Sequence, residues 1–235
     1  MKVLPVPLGA ALLGAVLLTG CSAGVTAEQA PTVASGASFH GTEPVSPGTR
    51  PSFVLEDTEG RPYDFAVETG GRPTLLYFGY ANCPDECPTA MADIAAALRT
   101  TPAALREDTV VVLVTTDPDR DTGPVLRRFL DQFSTDFVGL RGTQAQVDAA
   151  QTATGVSPAQ KGEDVPTLPG RPDQHEHAPG TAAHQHFGPL GYGVGHADVI
   201  FAFDSDDRLP VLYDGGVRPS DIAADLPLLA SGETP

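Results

Sequence analysis

The chain has 235 residues, with 14 Lys and Arg against 30 Asp and Glu, for a formal charge of −16. This length fits one domain with appendages and can bury a core without disulfide staples, while its scattered cations exclude a nucleic-acid interface, which needs clustered Lys and Arg against phosphates. The 25 Gly and 23 Pro call for linkers or long loops beside the core, and three Cys leave an odd thiol to account for.

At the N-terminus, Lys2 precedes an apolar stretch from Leu8 to Leu18. It is too short to span a hydrocarbon core of ~30 Å as a helix and has the length of a signal-peptide core. It ends in Leu18-Thr19-Gly20-Cys21, which resembles the lipobox of bacterial lipoproteins. That resemblance implies a signal peptide over residues 1–20 and a lipid on Cys21, which holds the protein on the extracytoplasmic face of the cell membrane. Ser22 to Arg50 is rich in Ser, Ala, Gly, Thr and Pro without an apolar period. Residues 21–50 therefore read as a flexible tether, with His40 a solvated residue within it.

The folded body is expected over residues 51–235. Phe53-Val54-Leu55 and Tyr63-Asp64-Phe65 flank a turn at Glu59-Gly60-Arg61-Pro62 and read as an N-terminal hairpin. Thr74 to Tyr80 is a continuous apolar strand, and Pro88 to Leu98 carries Met91, Ile94, Ala95 and Leu98 at helical spacing. Thr109 to Thr115 is β-branched and unalternating, the pattern of a strand buried on both faces. Pro124 to Phe133 and Thr143 to Thr154 read as helices. Val199 to Phe203 and Leu209 to Tyr213 read as strands joined by an Asp-rich turn, and Pro219 to Leu229 as a last helix. This order predicts an α/β fold, a central mixed sheet flanked by helices on both faces.

Ala81-Asn82-Cys83-Pro84-Asp85-Glu86-Cys87-Pro88 places two thiols four residues apart where a strand gives way to a helix. The i,i+4 spacing turns both sulfurs to one side, and a helix N-terminus favours thiolates. Three readings stay open on spacing alone: a structural disulfide, a redox dithiol of Cys83 and Cys87, and a soft metal site that needs a further ligand. His196, flanked by the small residues Gly195 and Ala197 ahead of the Val199 strand, is the candidate third ligand. A histidine satisfied by a local hydrogen bond is the alternative.

Tyr77-Phe78-Gly79-Tyr80-Ala81-Asn82-Cys83-Pro84-Asp85-Glu86-Cys87-Pro88-Thr89 closely resembles the Sco/SenC pattern F-F-G-Y-T-x-C-P-D-x-C-P. Val114 to Thr122 resembles that family's V-x-V/T-D-P-x-R-D-T, and Ser52 to Gly60 its opening F-x-L-x-D-x-x-G. The likeness runs over about residues 50–230 and implies a thioredoxin-like fold. It further implies a membrane-tethered copper protein, Cu(I) or Cu(II), with Cys83, Cys87 and His196 as ligands. The implied partner is the cytochrome c oxidase subunit carrying the CuA centre, or another copper protein. No residue is assigned a catalytic role. Thiol–disulfide exchange on extracytoplasmic cysteines is the alternative, since it needs only an accessible thiolate. Thioredoxin-type oxidoreductases place a Pro where Gly195-His196-Ala197 stands here, which tilts the choice toward metal. Asp117, Arg120 and Asp121 come with the second motif, as groups near the site or on a partner surface, or as caps of the following helix.

The sequence departs from the family in a His-rich loop over residues 167–189, where His175, His177, His184 and His186 form two H-x-H pairs. They read as an accessory metal site or as a weakly metal-binding insertion.

Overall fold

The computed structural model describes residues 38–46, 48–162 and 194–233, and the backbone of the short strand Ala183–His184. The chain divides into a unit over Met1–Thr32, outside the described residues, and a unit over Val33–Pro235. The expected signal sequence and Cys21 thus lie outside the described residues, as do His175, His177 and His186. Among the described residues no helix is long and apolar enough to cross a membrane.

After β1 (Gly48–Thr49), the hairpin is formed by β2 (Val54–Asp57) and β3 (Pro62–Asp64), with Val54 opposite Asp64. Phe65, expected in that hairpin, instead begins helix α1 (Phe65–Thr69). The Asp64 carboxylate accepts from the amides of Ala66 and Val67 and so caps the helix. Then come β4 (Thr74–Gly79), α2 (Glu86–Thr100), α3 (Ala103–Asp108), β5 (Val110–Thr115) and α4 (Gly123–Leu130). β6 (Val138–Arg141), α5 (Gln144–Ala153), β7 (Gln160–Lys161), β8 (Ala183–His184) and β9 (Val194–Ala197) follow. The chain closes with β10 (Val199–Phe203), β11 (Arg208–Leu209), β12 (Val211–Asp214) and α6 (Pro219–Ser231).

Seven strands make one mixed sheet in the order β12-β10-β4-β5-β6-β2-β3. β4, β5 and β6 run parallel at its centre, and antiparallel strands flank them on both sides. Every residue of β4 and β5 is buried, because helices cover both faces. Leu75, Tyr77, Val111 and Leu113 pack with Met91 and Ile94 of α2 and with Ile222 and Leu226 of α6. Leu76, Phe78, Val112 and Val114 point the other way, to Phe65 of α1 and Val147 of α5. At about 1.5–3 kcal/mol for each large apolar side chain fully buried, this double layer holds β4 rigidly. The C-terminal end of β4 is where the cysteine loop begins.

Residues 38–46 and 48–50, expected within the tether, lie on the body. Phe39 is buried in the core beside Tyr213. The amide of Thr42 donates to Leu212 of the edge strand β12 and its carbonyl accepts in return, while β1 pairs with β11. The Arg50 guanidinium is buried and donates to the Asp207 carboxylate, the Thr69 hydroxyl and the carbonyls of Arg72 and Asp204. His40, expected to be solvated, donates its amide to Asp225 and sets Nδ1 2.6 Å from the other oxygen of that buried carboxylate. The composition of this stretch suits a linker, but one aromatic, one cation and one imidazole find buried partners more than a hundred residues away.

Candidate metal centre

β4 ends at Gly79, and the chain turns through Tyr80-Ala81-Asn82 to Cys83, whose amide donates to the Tyr80 carbonyl. α2 then starts at Glu86, two residues earlier than its apolar spacing suggests, so Cys87 sits in its first turn. Pro88 is tolerated there because first-turn amides have no intrahelical acceptor. The Cys87 amide donates to Cys83 Sγ at 3.4 Å, which folds the loop back and brings the sulfurs together. Gly79 makes room for this: a Cβ there would stand 2.8 Å from Cys87 Sγ and 2.7 Å from the Tyr77 ring.

The third group comes from β9. Sequence reasoning set His196 just ahead of the Val199 strand, and it lies there within a short strand of its own. β9 pairs with β7 and β8, outside the seven-stranded sheet, and His196 stands opposite His184 in the backbone register. His196 Nε2 lies 3.4 Å from Cys87 Sγ, and ligand atoms of Cys83, Cys87 and His196 all fall within 4.8 Å of one another. All three are buried, with Cys83, at 6 % exposed, the most accessible. His196 Nδ1 stands 3.1 Å from the Ala197 carbonyl, which can only accept. Nδ1 therefore carries a proton, and Nε2 is the nitrogen turned to the sulfurs, the usual orientation of a metal-ligating histidine.

The two thiols are unequal, and both are free. Hydrogen bonding from Cys87 is the largest influence on Cys83; with His196 it holds the Cys83 pKa down at about 4 against the opposing effect of burial. Burial, reinforced by the Cys83 charge, pushes the Cys87 thiol well above its ordinary value. Burial also works against a charged His196, but the Cys83 thiolate and the Ala197 carbonyl outweigh it and raise the imidazole pKa. The result is a thiolate, a thiol and an imidazole sharing protons in one pocket. Two sulfurs and one nitrogen are the donor set that favours Cu(I) and other thiophilic ions, so the residues fit such a metal.

Asp117, Arg120 and Asp121 stand behind the loop. Asp121 Oδ2 accepts from the Ala81 amide at 2.9 Å and the Thr115 hydroxyl at 2.6 Å, tying the cysteine loop to the end of β5. The capping alternative does not hold for Asp121: Thr122 occupies the N-cap position of α4, without a side-chain hydrogen bond. Arg120 pairs with the buried Asp117 and lays its guanidinium 5.7 Å from the centre of the Tyr80 ring. Asp119 of the same segment holds Lys161 of β7. Beside the site opens a cavity of about 580 Å³ whose rim carries Asp85, Glu86, Asp93, Asp198 and Asp214.

Sequence reasoning gave no role to Tyr77, Tyr80 or Asp198. The two tyrosine rings meet the His196 ring edge-on, at 5.9 and 5.8 Å between centroids and 82° and 85° between planes. Tyr80 Oη accepts from the Val194 amide, and Tyr77 Oη donates to Asp198. The one signal available was the i,i+3 spacing of two tyrosines running into the cysteine loop.

The SCO1/SenC family pattern matches residues 42–231. Protein SenC of Rhodobacter capsulatus is 38% identical over 145 residues, covering 61% of this chain and 64% of that protein. The human mitochondrial protein SCO1 homolog is 33% identical over 122 residues, 45% of this chain and 39% of its own length. The chain thus spans between two-fifths and two-thirds of these relatives. Copper-bound ScoI of Bradyrhizobium japonicum superposes with a TM-score of 0.58 at 26% identity, covering 78% of this chain and all of that one. Apo Sco1 of Thermus thermophilus gives 0.62 at 26% identity, covering 84% and 100%.

Proposed function

The chain belongs to the SCO1/SenC family, with its thioredoxin-like fold, and from that premise we propose that it binds copper through Cys83, Cys87 and His196 and delivers it in assembly of the CuA centre of cytochrome c oxidase. The observation that carries this reading is the convergence of two sulfurs and an imidazole nitrogen within 4.8 Å, in a fold shared with a copper-bound relative. Transfer proceeds by ligand exchange. A thiolate of the acceptor enters on the side of Cys83, the most accessible of the three groups, and the cargo passes without release to water. The lipobox-like Leu18-Thr19-Gly20-Cys21 supports a lipid anchor on the extracytoplasmic face of the membrane, which brings the site to a membrane-bound acceptor. In the same proposal the loop over residues 167–189 supplies an accessory metal site.

The test is a titration of the reduced chain with Cu(I) against a competing chelator. One tight equivalent is expected, lost in Cys83→Ala and weakened strongly in His196→Ala. Unchanged affinity in both variants sinks the assignment. Replacing His175, His177, His184 and His186 together is expected to lower the total copper bound, and an unchanged stoichiometry removes the accessory site.

A second reading, thiol–disulfide exchange, is favoured by the depressed pKa of Cys83 beside a second thiol. Catalytic reduction of an acceptor disulfide that survives His196→Ala would put this reading first.

A further inference from the structure

His196 is the one member of the site carried by a strand outside the central sheet, so something must fix it against cysteines on the loop and helix that follow β4 of that sheet. Asp198 is the single residue between β9 and β10. Its Oδ1 accepts the hydroxyl of Tyr77 at 2.8 Å. Tyr77 is fully buried in β4, between Leu76 and Phe78, which face the opposite layer. Its hydroxyl, once buried, needs an acceptor, and Asp198 supplies it. The other Asp198 oxygen stands 2.5 Å from where a Cβ on Gly215 would be, so the turn after β12 admits this carboxylate only because residue 215 is glycine. The Tyr77 ring meets the His196 ring at 82°. One side chain of the rigid central sheet therefore touches the ligand ring with its edge and the ligand strand's exit with its hydroxyl.

We infer that Tyr77 and Asp198 form a latch that positions His196, holding its Nε2 toward the cysteine pair. This rests on the copper reading above. Without the hydroxyl–carboxylate bond, the junction between β9 and β10 loses its side-chain tie to β4 and keeps only the backbone pairing that begins at Ile200, so the imidazole can turn away from the sulfurs. A metal held by three groups would then be held by two. Tyr77 and Asp198 act here as positioning residues, since neither supplies a ligand atom.

Two readouts on the full reduced chain test this. In the apo protein, long-range proton–nitrogen NMR of histidine, with His196 assigned by its loss in His196→Ala, is expected to show a single Nδ1–H tautomer. Tyr77→Phe, which keeps the ring, and Asp198→Ala are expected to mix the tautomers. Asp198→Asn, which keeps an acceptor oxygen, is expected to restore one. In Cu(I) competition, Tyr77→Phe and Asp198→Ala are expected to weaken binding about tenfold, the lower range for loss of a group that orients a ligand, with Asp198→Asn close to wild type. Tautomer and affinity unchanged in Tyr77→Phe and Asp198→Ala overturn the latch, even if either variant is less stable. A wild-type chain that binds no Cu(I) overturns the copper function instead, and the imidazole signals of the apo protein still decide the latch.

Discussion

Cys87 Sγ and His196 Nε2 stand 3.4 Å apart although 109 residues separate them in the chain. In the same pocket Cys83 is the reactive thiol and Cys87 the silent one: the hydrogen bond from Cys87, helped by His196, holds Cys83 at about 4, and burial pushes Cys87 up. Alkylation followed by mass spectrometry is expected to label Cys83 at a rate already level between pH 6 and 8. Cys87 should label only at alkaline pH or on unfolding. In His196→Ala the Cys83 profile moves to higher pH, because one of the groups stabilising the thiolate is gone. Equal labelling of both thiols at neutral pH would contradict this asymmetry.

Gly79→Ala places a methyl 2.8 Å from Cys87 Sγ and 2.7 Å from the Tyr77 ring, closer than real contacts allow. Overpacking of this kind costs about 1–3 kcal/mol, and here the strain falls on a ligand. Urea unfolding should show the loss of stability, and a Cu(I) titration of the still-folded protein a weaker site. The same substitution at Gly60, where nothing lies within 4 Å of the added carbon but φ is +79°, strains only the backbone and should leave copper affinity alone.

Asp121→Ala removes the acceptor of both the Ala81 amide and the Thr115 hydroxyl. Each buried donor left unsatisfied costs about 1–3 kcal/mol. Hydrogen exchange is expected to speed up at Ala81 before it does in the middle of β4, because the tie lost is the one between the loop and β5. Asp121→Asn keeps an oxygen in place and should recover part of the protection.

His40 reports on the N-terminal strap. Its pKa is raised, first by the hydrogen bond to Asp225, against the opposing effect of burial. A raised folded-state pKa means stability fully present below the unfolded value of about 6.5 and lost as pH rises through the folded one. The stability gap between wild type and His40→Ala, measured by urea unfolding, should therefore be widest at mildly acidic pH and narrow toward pH 9. A gap that widens with pH would show that the imidazole is held neutral.

What the sequence disclosed was whatever its local pattern could carry. β4 and β5 announce themselves as unalternating apolar runs, and Cys83 and Cys87 as a spaced pair at a strand-to-helix junction. β6 did not: Val138–Arg141 is four residues with a glycine inside, and it becomes a strand because Gly139 lets Leu126 and Leu130 of α4 close over it. Phe65 sits in an alternating Tyr-Asp-Phe run, and the Asp64 cap overrides that alternation. The strap over residues 38–50 has the composition of a linker, and only the finished fold supplies acceptors for Arg50 and a carboxylate for His40. His196 was visible as a candidate, while the latch that orients it joins residues 121 apart and leaves no local trace.

The antiparallel pairing of β10 with β4 bears on the order in which the protein becomes competent. During synthesis the cysteine loop is made before the strand that covers the open side of β4, and that strand emerges directly after His196. An incomplete chain thus offers two thiols without an imidazole, beside an unpaired sheet edge. Closing that edge and completing the donor set both wait for the same late segment, whose pairing with β4 is non-local and so costly in loop closure. A metal held by all three groups would favour the finished state by mass action, so under the copper proposal affinity for the cargo and completion of the fold are coupled.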